Sequence, residues 1–172
     1  MIADSPATDR PALVMGLGNL LREDEGAGLH VINHLHETLP ADTAVDLLDG
    51  GTGGLHLMAE LEDRPAVVVV DATRMGLAPG EIGCYVQTEM DRFVNRRSGW
   101  NVHDVGLPDL FGAAQLLPGG LPPRRALVGM EPASFDWRSR PSAPVAAAVP
   151  RAADAVMAQL RGWAANPDGV SA

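Results

Sequence analysis

Residues 66 to 71 read Ala66-Val67-Val68-Val69-Val70-Asp71, an apolar run of mostly β-branched residues that ends on an acid. β-Branched side chains favour strands, and a run without polar alternation is typical of a parallel strand that is covered on both faces. Because such a strand needs helices on both sides of its sheet, the run predicts a layered α/β domain.

Strand-like and helix-like segments alternate along the rest of the chain, as judged from the spacing of apolar residues. The predicted strands are residues 12–15, 43–48, 66–70, 81–88 and 125–130, and helices are predicted within residues 23–39, 55–61, 102–117 and 144–163. We predict an exposed, charged connection at residues 89–101. This alternation indicates an α/β fold: a single three-layer domain with a mostly parallel twisted sheet of about five strands and helices on both faces.

Length and composition restrict the classes of protein. The chain has 172 residues, enough for one domain at residues 12–163 between flexible tails at 1–11 and 164–172. Its net charge of −9 would repel nucleic acid and anionic membranes. The lone Cys84 forms no internal disulfide, the N-terminal residues lack the apolar stretch of a signal peptide, and no apolar run reaches the roughly 18 residues that span a bilayer. We therefore expect a cytoplasmic protein without a nucleic-acid partner or membrane insertion.

Three polar residues lie at predicted element ends. Glu25 opens the first helix, Asp71 follows the strand at 66–70, and His103 opens the helix after the charged connection. Ligand sites in such sheets form at the carboxyl ends of the strands, and two carboxylates with an imidazole suit nickel or zinc. Each residue also has a structural interpretation: Glu25 as an acid favoured by the helix dipole, Asp71 as a cap, and His103 as a solvated histidine.

Five short motifs follow one another along the chain, and the first is LVMGLGNLLREDEGAG at residues 13–28. This stretch closely resembles the N-terminal signature of the hydrogenase maturation protease family. The chain is similar to the remaining family motifs with DGGTGG at 49–54, VVDA at 69–72, HDVGL at 103–107 and GMEP at 129–132. Each motif is weak alone, but together they extend the resemblance over residues 12–163. One departure is Asn101, where a serine is frequent in the family.

The resemblance implies an endopeptidase similar to the aspartyl type, which removes the C-terminal extension of the nickel-iron hydrogenase large-subunit precursor. It implies that Glu25, Asp71 and His103 contact nickel and form the catalytic site, with the nucleophile unassigned. Nickel would arrive in the precursor rather than as a tightly bound cofactor, and we expect no organic cofactor. A partial ligand set binds free metal weakly but gains affinity when substrate thiolates complete the coordination.

The glycine-rich segment after the second strand begins with Asp49, Gly50, Gly51 and Thr52. Such a segment can form a structural turn, cradle a phosphate or lie beneath a peptide. The family resemblance implies a substrate loop. Asp49 could cap the turn or assist hydrolysis, and both roles stay open here.

The main alternative is a dinucleotide-binding oxidoreductase. Gly16 and Gly18 follow a strand, and Asp49 lies where a ribose-binding acid would be expected. Leu21 occupies the position of the third glycine, which disfavours this class.

Other hydrolytic or binding mechanisms are also conceivable. His30 and His34 have zinc-ligand spacing, but no glutamate follows His30, so we interpret them as solvated helix residues. No Gly-x-Ser-x-Gly elbow occurs, and we expect Cys84 to be a small buried side chain in a strand. A nickel-dependent chaperone that binds the same precursor without cutting it is the remaining alternative.

Overall fold

The computed structural model describes residues 10–96, 107–116 and 118–167. Its sheet has the strand order β2-β1-β3-β5-β4, and only β4 runs antiparallel to its neighbour. The strands are β1 (Ala12–Leu17), β2 (Val45–Gly51), β3 (Ala66–Ala72), β4 (Ile82–Val86) and β5 (Arg124–Met130). The run at residues 66–70 is at most 5% exposed and lies in the central strand. The predicted fold is confirmed.

Helices cover both faces of the sheet. The described residues form α1 (Ala27–Thr38), α2 (Met58–Leu61), α3 (Thr88–Arg96), α4 (Leu107–Ala114) and α5 (Ala143–Ala165). Alternate residues of β3 enter two cores: Val68 and Val70 pack with α1 and α5, whereas Val67 and Val69 pack with the side of α2, α3 and α4. This alternation follows from the two-residue period of a strand and explains why the whole run is apolar.

The prediction of an exposed connection at residues 89–101 is wrong for its first part. Residues Thr88–Arg96 form α3, in which Met90 and Val94 are buried at the four-residue spacing of one helical face. Asp91 pairs with Arg125 at the start of β5, which fixes the helix against the sheet. Residues 97–101 lie outside the described residues.

Two further predictions on the elements change in detail. The second strand continues to Gly51, so Asp49 lies within β2 rather than after it. The helix predicted at 102–117 is described only as α4, because its first part falls outside the described residues. Among the described helices, none has the length and apolar character required to cross a membrane.

Candidate active site

Close backbone packing brings the first helix onto the carboxyl ends of the strands. A Cβ atom added to Gly28 would lie 2.3 Å from the carbonyl oxygen of Val70 and 2.4 Å from that of Leu17. Gly18 has φ +133°, and a Cβ there would overlap the carbonyl oxygen of Glu25. Only glycine permits both contacts. These glycines place the 3-10 turn Glu23–Gly26, here called the acidic turn, against β3 and next to Gly18, the residue after β1.

The structure brings two of the three predicted ligand residues to one edge. Glu25 is half-buried in the acidic turn, and the Arg22 Nε lies 3.2 Å from its Oε2. Asp71 is half-buried near the end of β3, in register with Gly129 of β5. The acidic turn packs against β3, so Glu25 and Asp71 belong to the same edge. His103 lies outside the described residues, and no group of three potential metal ligands occurs in the part of the chain that the structure describes.

Asp24 has a structural role that the sequence analysis missed. Its side chain is fully buried, and its Oδ2 accepts hydrogen bonds from the backbone amides of Ala133 (2.8 Å) and Ser134 (3.3 Å). Ser142 donates its amide to Oδ1 at 2.6 Å and its hydroxyl to Oδ2 at 2.8 Å. Residues 131–142, here called the C-terminal loop, are therefore fixed to the acidic turn by one carboxylate. The partners lie more than 100 residues away in sequence, so local patterns carry no signal for them.

Arginines bind the C-terminal loop at the same place. The Arg22 guanidinium donates from Nη2 to the carbonyl oxygen of Phe135 at 3.1 Å and lies 5.6 Å from the centre of the Trp137 ring. Arg74, from the loop after β3, lies over the Phe135 ring at 4.9 Å. Cation–π contacts of this kind help to order exposed loops. The loops after β1, β3 and β5 are thus connected around the edge that carries Glu25.

A buried glutamate supports the loop after β3. The Glu131 carboxylate, from the GMEP motif at the end of β5, accepts hydrogen bonds from the amides of Met75 at 2.5 Å and Leu77 at 3.2 Å. It satisfies backbone donors that would otherwise lie next to the sheet without partners. This motif therefore fixes the loop that begins just beyond Asp71.

The glycine-rich segment is held next to the acidic turn. Gly51 adopts φ +50°, its amide donates to Asp49 Oδ1 at 2.9 Å, and its carbonyl oxygen accepts from Gly18 at 2.9 Å. Asp49 thus caps the turn, as one of its two interpretations predicts. Its carboxylate is exposed, and the structure does not bring it into the acidic turn. A role of Asp49 in hydrolysis stays a prediction, as does substrate contact by Gly50 and Thr52.

Two alternative site residues differ from their sequence interpretation. His30 is not a solvated helix histidine: burial lowers its pKa, which the nearby Asp24 opposes, and its Nε2 is buried with no hydrogen-bond partner among the described residues. Cys84 lies on β4 as predicted, but it is exposed rather than buried. The exposure is incomplete, and partial desolvation of the thiol raises the pKa of Cys84, so the reactive thiolate is disfavoured.

The acidic turn also disfavours dinucleotide binding. A pyrophosphate would approach the amino end of α1, where the helix dipole and backbone amides attract anions. Three consecutive acids, Glu23, Asp24 and Glu25, precede that helix. Their negative charge opposes a phosphate group at this position.

Exposed apolar side chains surround the same edge. Five large apolar residues are exposed within residues 10–96, 107–116 and 118–167, and four of them follow the carboxyl ends of parallel strands. These four, here called the apolar rim, are Leu21 after β1, Leu55 after β2, Leu77 after β3 and Trp137 after β5. Single exposed apolar side chains are common on soluble proteins, so what connects these four to the site is their position after the strand ends that carry it.

Comparison with known proteins identifies the family. The sequence profile described as HycI, hydrogenase maturation protease, matches residues 29–159. The chain is 32% identical over 164 residues to the hydrogenase expression/formation protein HupD of Rhizobium leguminosarum bv. viciae, covering 92% of this chain and 80% of HupD. It is 31% identical over 151 residues to the hydrogenase 2 maturation protease of Escherichia coli (strain K12), covering 87% of this chain and 90% of that protease.

A solved structure is similar to this one as well. The hydrogenase maturating endopeptidase HybD from Escherichia coli superposes with a TM-score of 0.79 at 27% sequence identity, covering 88% of this chain and 93% of HybD. The chain therefore belongs to the hydrogenase maturation protease family, and it is a peptidase.

Proposed function

We propose that this peptidase removes the C-terminal extension of a nickel-iron hydrogenase large-subunit precursor after nickel has been inserted. Glu25, Asp71 and His103 contact the nickel of the bound precursor. The observation that carries the proposal is that Glu25 and Asp71, from two separate motifs, lie at one edge of the sheet. The name of the Escherichia coli relative, hydrogenase 2 maturation protease, supports a hydrogenase substrate.

The chemistry of the residues suits a metal that belongs to the substrate. Carboxylate and imidazole ligands accept borderline divalent ions, but a set of three ligands leaves the coordination of nickel incomplete and holds the free ion weakly. Thiolates of the precursor would supply the missing affinity, so binding depends on correct metal loading. The nickel is accordingly part of the substrate in this proposal, and Glu25 and Asp71 bind only a precursor that presents it.

Peptide hydrolysis at this edge requires a water molecule and a proton acceptor. A carboxylate such as that of Asp71 can take a proton as the water oxygen attacks the scissile carbonyl carbon, and it can then return the proton to the amine that leaves when the C–N bond breaks. This mechanism needs no serine or cysteine nucleophile. The raised pKa of Cys84 is consistent with such a mechanism.

The apolar rim favours a folded substrate over an isolated tail peptide. Leu21 and Trp137 are 61% and 77% exposed, and each directly precedes one residue of the backbone bridge between Arg22 and Arg138. A folded precursor can cover such side chains while its tail enters the site, and the binding energy then positions the scissile bond. A free peptide lacks both the nickel centre and the covering surface.

The test compares three substrates at equal concentration: nickel-loaded precursor, nickel-free precursor and a synthetic tail peptide. Mass spectrometry follows the products over time, and we expect cleavage of the nickel-loaded precursor alone. Glu25→Gln, Asp71→Asn and His103→Ala should abolish cleavage, whereas Glu37→Gln, an exposed acid on α1, should not. Similar rates for all three substrates would refute nickel recognition. Complex formation without any loss of mass would instead indicate the chaperone alternative.

A further inference from the structure

Arg22 joins the proposed nickel contact to the C-terminal loop. Its Nε lies 3.2 Å from Oε2 of Glu25, and the same guanidinium donates to the carbonyl oxygen of Phe135 from Nη2 at 3.1 Å and from Nε at 3.3 Å. Both hydrogen bonds of the guanidinium go to the carbonyl oxygen of Phe135, and its contact with the Glu25 carboxylate is an ion pair. The Glu25 carboxylate has a protein cation as its neighbour.

Further contacts fix Arg22 in this position. Its guanidinium carbon lies 5.6 Å from the centre of the Trp137 ring, and its backbone forms an isolated parallel bridge with Arg138. The C-terminal loop that carries these partners is attached to the fully buried Asp24. Because the loop is held, the guanidinium loses little additional side-chain entropy when it pairs with Glu25.

We infer that Arg22 is a positioning residue that orients Glu25 and competes with free divalent cations for its carboxylate. A cation that binds Glu25 from solution must displace or share the carboxylate with Arg22, so its affinity falls. A metal fixed in a docked precursor acts at a high effective concentration and can overcome the same competition. The inference rests on the proposed role of Glu25 as a nickel contact, and it adds a reason why the peptidase responds to loaded precursor rather than to free nickel.

The size of the effect follows from the exposure of the pair. The side chains of Arg22 and Glu25 are 39% and 31% exposed, so solvent screens their attraction. Partly exposed ion pairs of this kind change an equilibrium by about two- to five-fold. We therefore expect Arg22→Gln to bind nickel ion about two- to five-fold more tightly than the wild-type chain.

The experiment is isothermal titration of the full-length protein with nickel chloride alone. Arg138→Gln is the matched control: it removes the same charge from the same neighbourhood, but Arg138 is 67% exposed and pairs with Glu23 at 3.8 Å rather than with Glu25. Its affinity for nickel ion should change less than that of Arg22→Gln. The double variant Arg22→Gln/Glu25→Gln should bind nickel ion no more tightly than Glu25→Gln alone, because the carboxylate that Arg22 would release is absent. Circular dichroism checks folding, and Arg22→Met, which keeps the apolar stem, replaces Arg22→Gln if that protein does not fold.

The outcomes separate this inference from the proposed function. Three results would each overturn the role of Arg22. The affinity for nickel ion is unchanged in Arg22→Gln, or it rises equally in Arg138→Gln. In the third, the double variant still binds nickel ion more tightly than Glu25→Gln alone. If Glu25→Gln nevertheless lowers nickel affinity and abolishes cleavage of loaded precursor, the proposed function stands without Arg22. If Glu25→Gln alters neither nickel affinity nor cleavage, the proposed nickel contact at Glu25 itself is wrong.

Discussion

Replacing Asp24 with alanine is expected to destabilise the fold by about 3–5 kcal/mol. The Asp24 carboxylate is fully buried and accepts hydrogen bonds from three backbone amides and one hydroxyl of the C-terminal loop. Alanine removes the acceptor but leaves the four donors. The substitution therefore differs from the loss of a surface charge, because the partners that remain must find water or stay unsatisfied.

The magnitude follows from these contacts. A hydrogen bond to a charged group contributes about 1.5–3 kcal/mol, so four bonds set an upper bound of about 6–12 kcal/mol. Two corrections reduce this figure. Ser134 and Ser142 are half-buried, so water can reach some of the donors, and alanine removes the cost of burying the carboxylate. Alanine leaves neutral donors rather than a charge, and each buried donor without an acceptor costs about 1–3 kcal/mol, so two donors that water does not reach give about 3–5 kcal/mol.

Asparagine provides a graded test at the same position. With its oxygen in place of Oδ2, it keeps the acceptor used by the Ala133 amide, the Ser134 amide and the Ser142 hydroxyl. Its amide nitrogen then faces the Ser142 amide, which is also a donor. One bond is lost and one repulsion is added, so we expect a loss of about 1–3 kcal/mol for Asp24→Asn, between wild type and Asp24→Ala.

Urea unfolding monitored by circular dichroism measures these losses. With a slope of about 2 kcal/mol per molar urea, Asp24→Ala should lower the unfolding midpoint by about 1.5–2.5 M. Asp154→Ala, an exposed acid on α5, is the control and should stay within about 0.5 kcal/mol of wild type. A loss below about 1 kcal/mol for Asp24→Ala would refute the reasoning, because the four donors would then be satisfied without the carboxylate.

Five other substitutions test packing, activity and protonation. In urea unfolding, Gly28→Ala should lower the free energy of unfolding by about 1–3 kcal/mol, because the added Cβ would overlap strand carbonyls. Gly162→Ala should raise the free energy of unfolding by about 0.5–1 kcal/mol, because no atom lies within 4 Å of the added Cβ and alanine favours a helix over glycine. Val69→Ala should cost about 2 kcal/mol in the same assay, while Asp71→Asn at the sheet edge should cost less than half of that and abolish cleavage. Burial lowers the folded-state pKa of His30, so its contribution to stability is present above the unfolded pKa of about 6.5 and is lost as the pH falls through the folded pKa. Urea unfolding at several pH values should therefore show less acid destabilisation in His30→Gln than in wild type.

Each of these outcomes has a contrary result. A stabilised Gly28→Ala would mean that α1 can withdraw from the strands without cost. Equal destabilisation by Val69→Ala and Asp71→Asn would mean that Asp71 supports the fold rather than the reaction. An identical pH dependence for wild type, His30→Gln and the exposed control His36→Gln would remove His30 as the source of acid sensitivity.

The sequence predicted the fold well because its signals are local and repeated. The apolar run at residues 66–70 indicated a central strand, and that strand is the middle of five. The helix α3 was missed for an equally local reason. Met90 and Val94 form a short apolar face among charged neighbours, so the sequence alone predicts an exposed segment. In the structure this face packs against the sheet and is buried. An apolar stripe this narrow becomes a helix signal only in its tertiary context.

The candidate site was predictable where a residue marks the end of an element. Glu25 and Asp71 could be assigned to one edge because the carboxyl ends of parallel strands meet there. The roles of Asp24 and Arg22 could not be predicted in this way, since their partners at Ser142 and Phe135 lie more than 100 residues further along the chain. His103 lies outside the described residues, so its place in the site stays a prediction.

The acidic turn explains why neighbouring residues of similar chemistry have different roles. A 3-10 helix has three residues per turn, so the side chains of Asp24 and Glu25 point in directions about 120° apart. Glu23 begins the turn with φ +44°, outside the helical region, and this turns its side chain in a third direction. Glu23 accepts the Ser134 hydroxyl at 2.6 Å, Asp24 points into the interior, and Glu25 pairs with Arg22. One acid therefore binds a hydroxyl of the C-terminal loop, the second fixes that loop from within, and the third is itself the proposed nickel contact. The three roles follow from direction rather than residue type, so the backbone of the turn determines which carboxylate is available to the substrate.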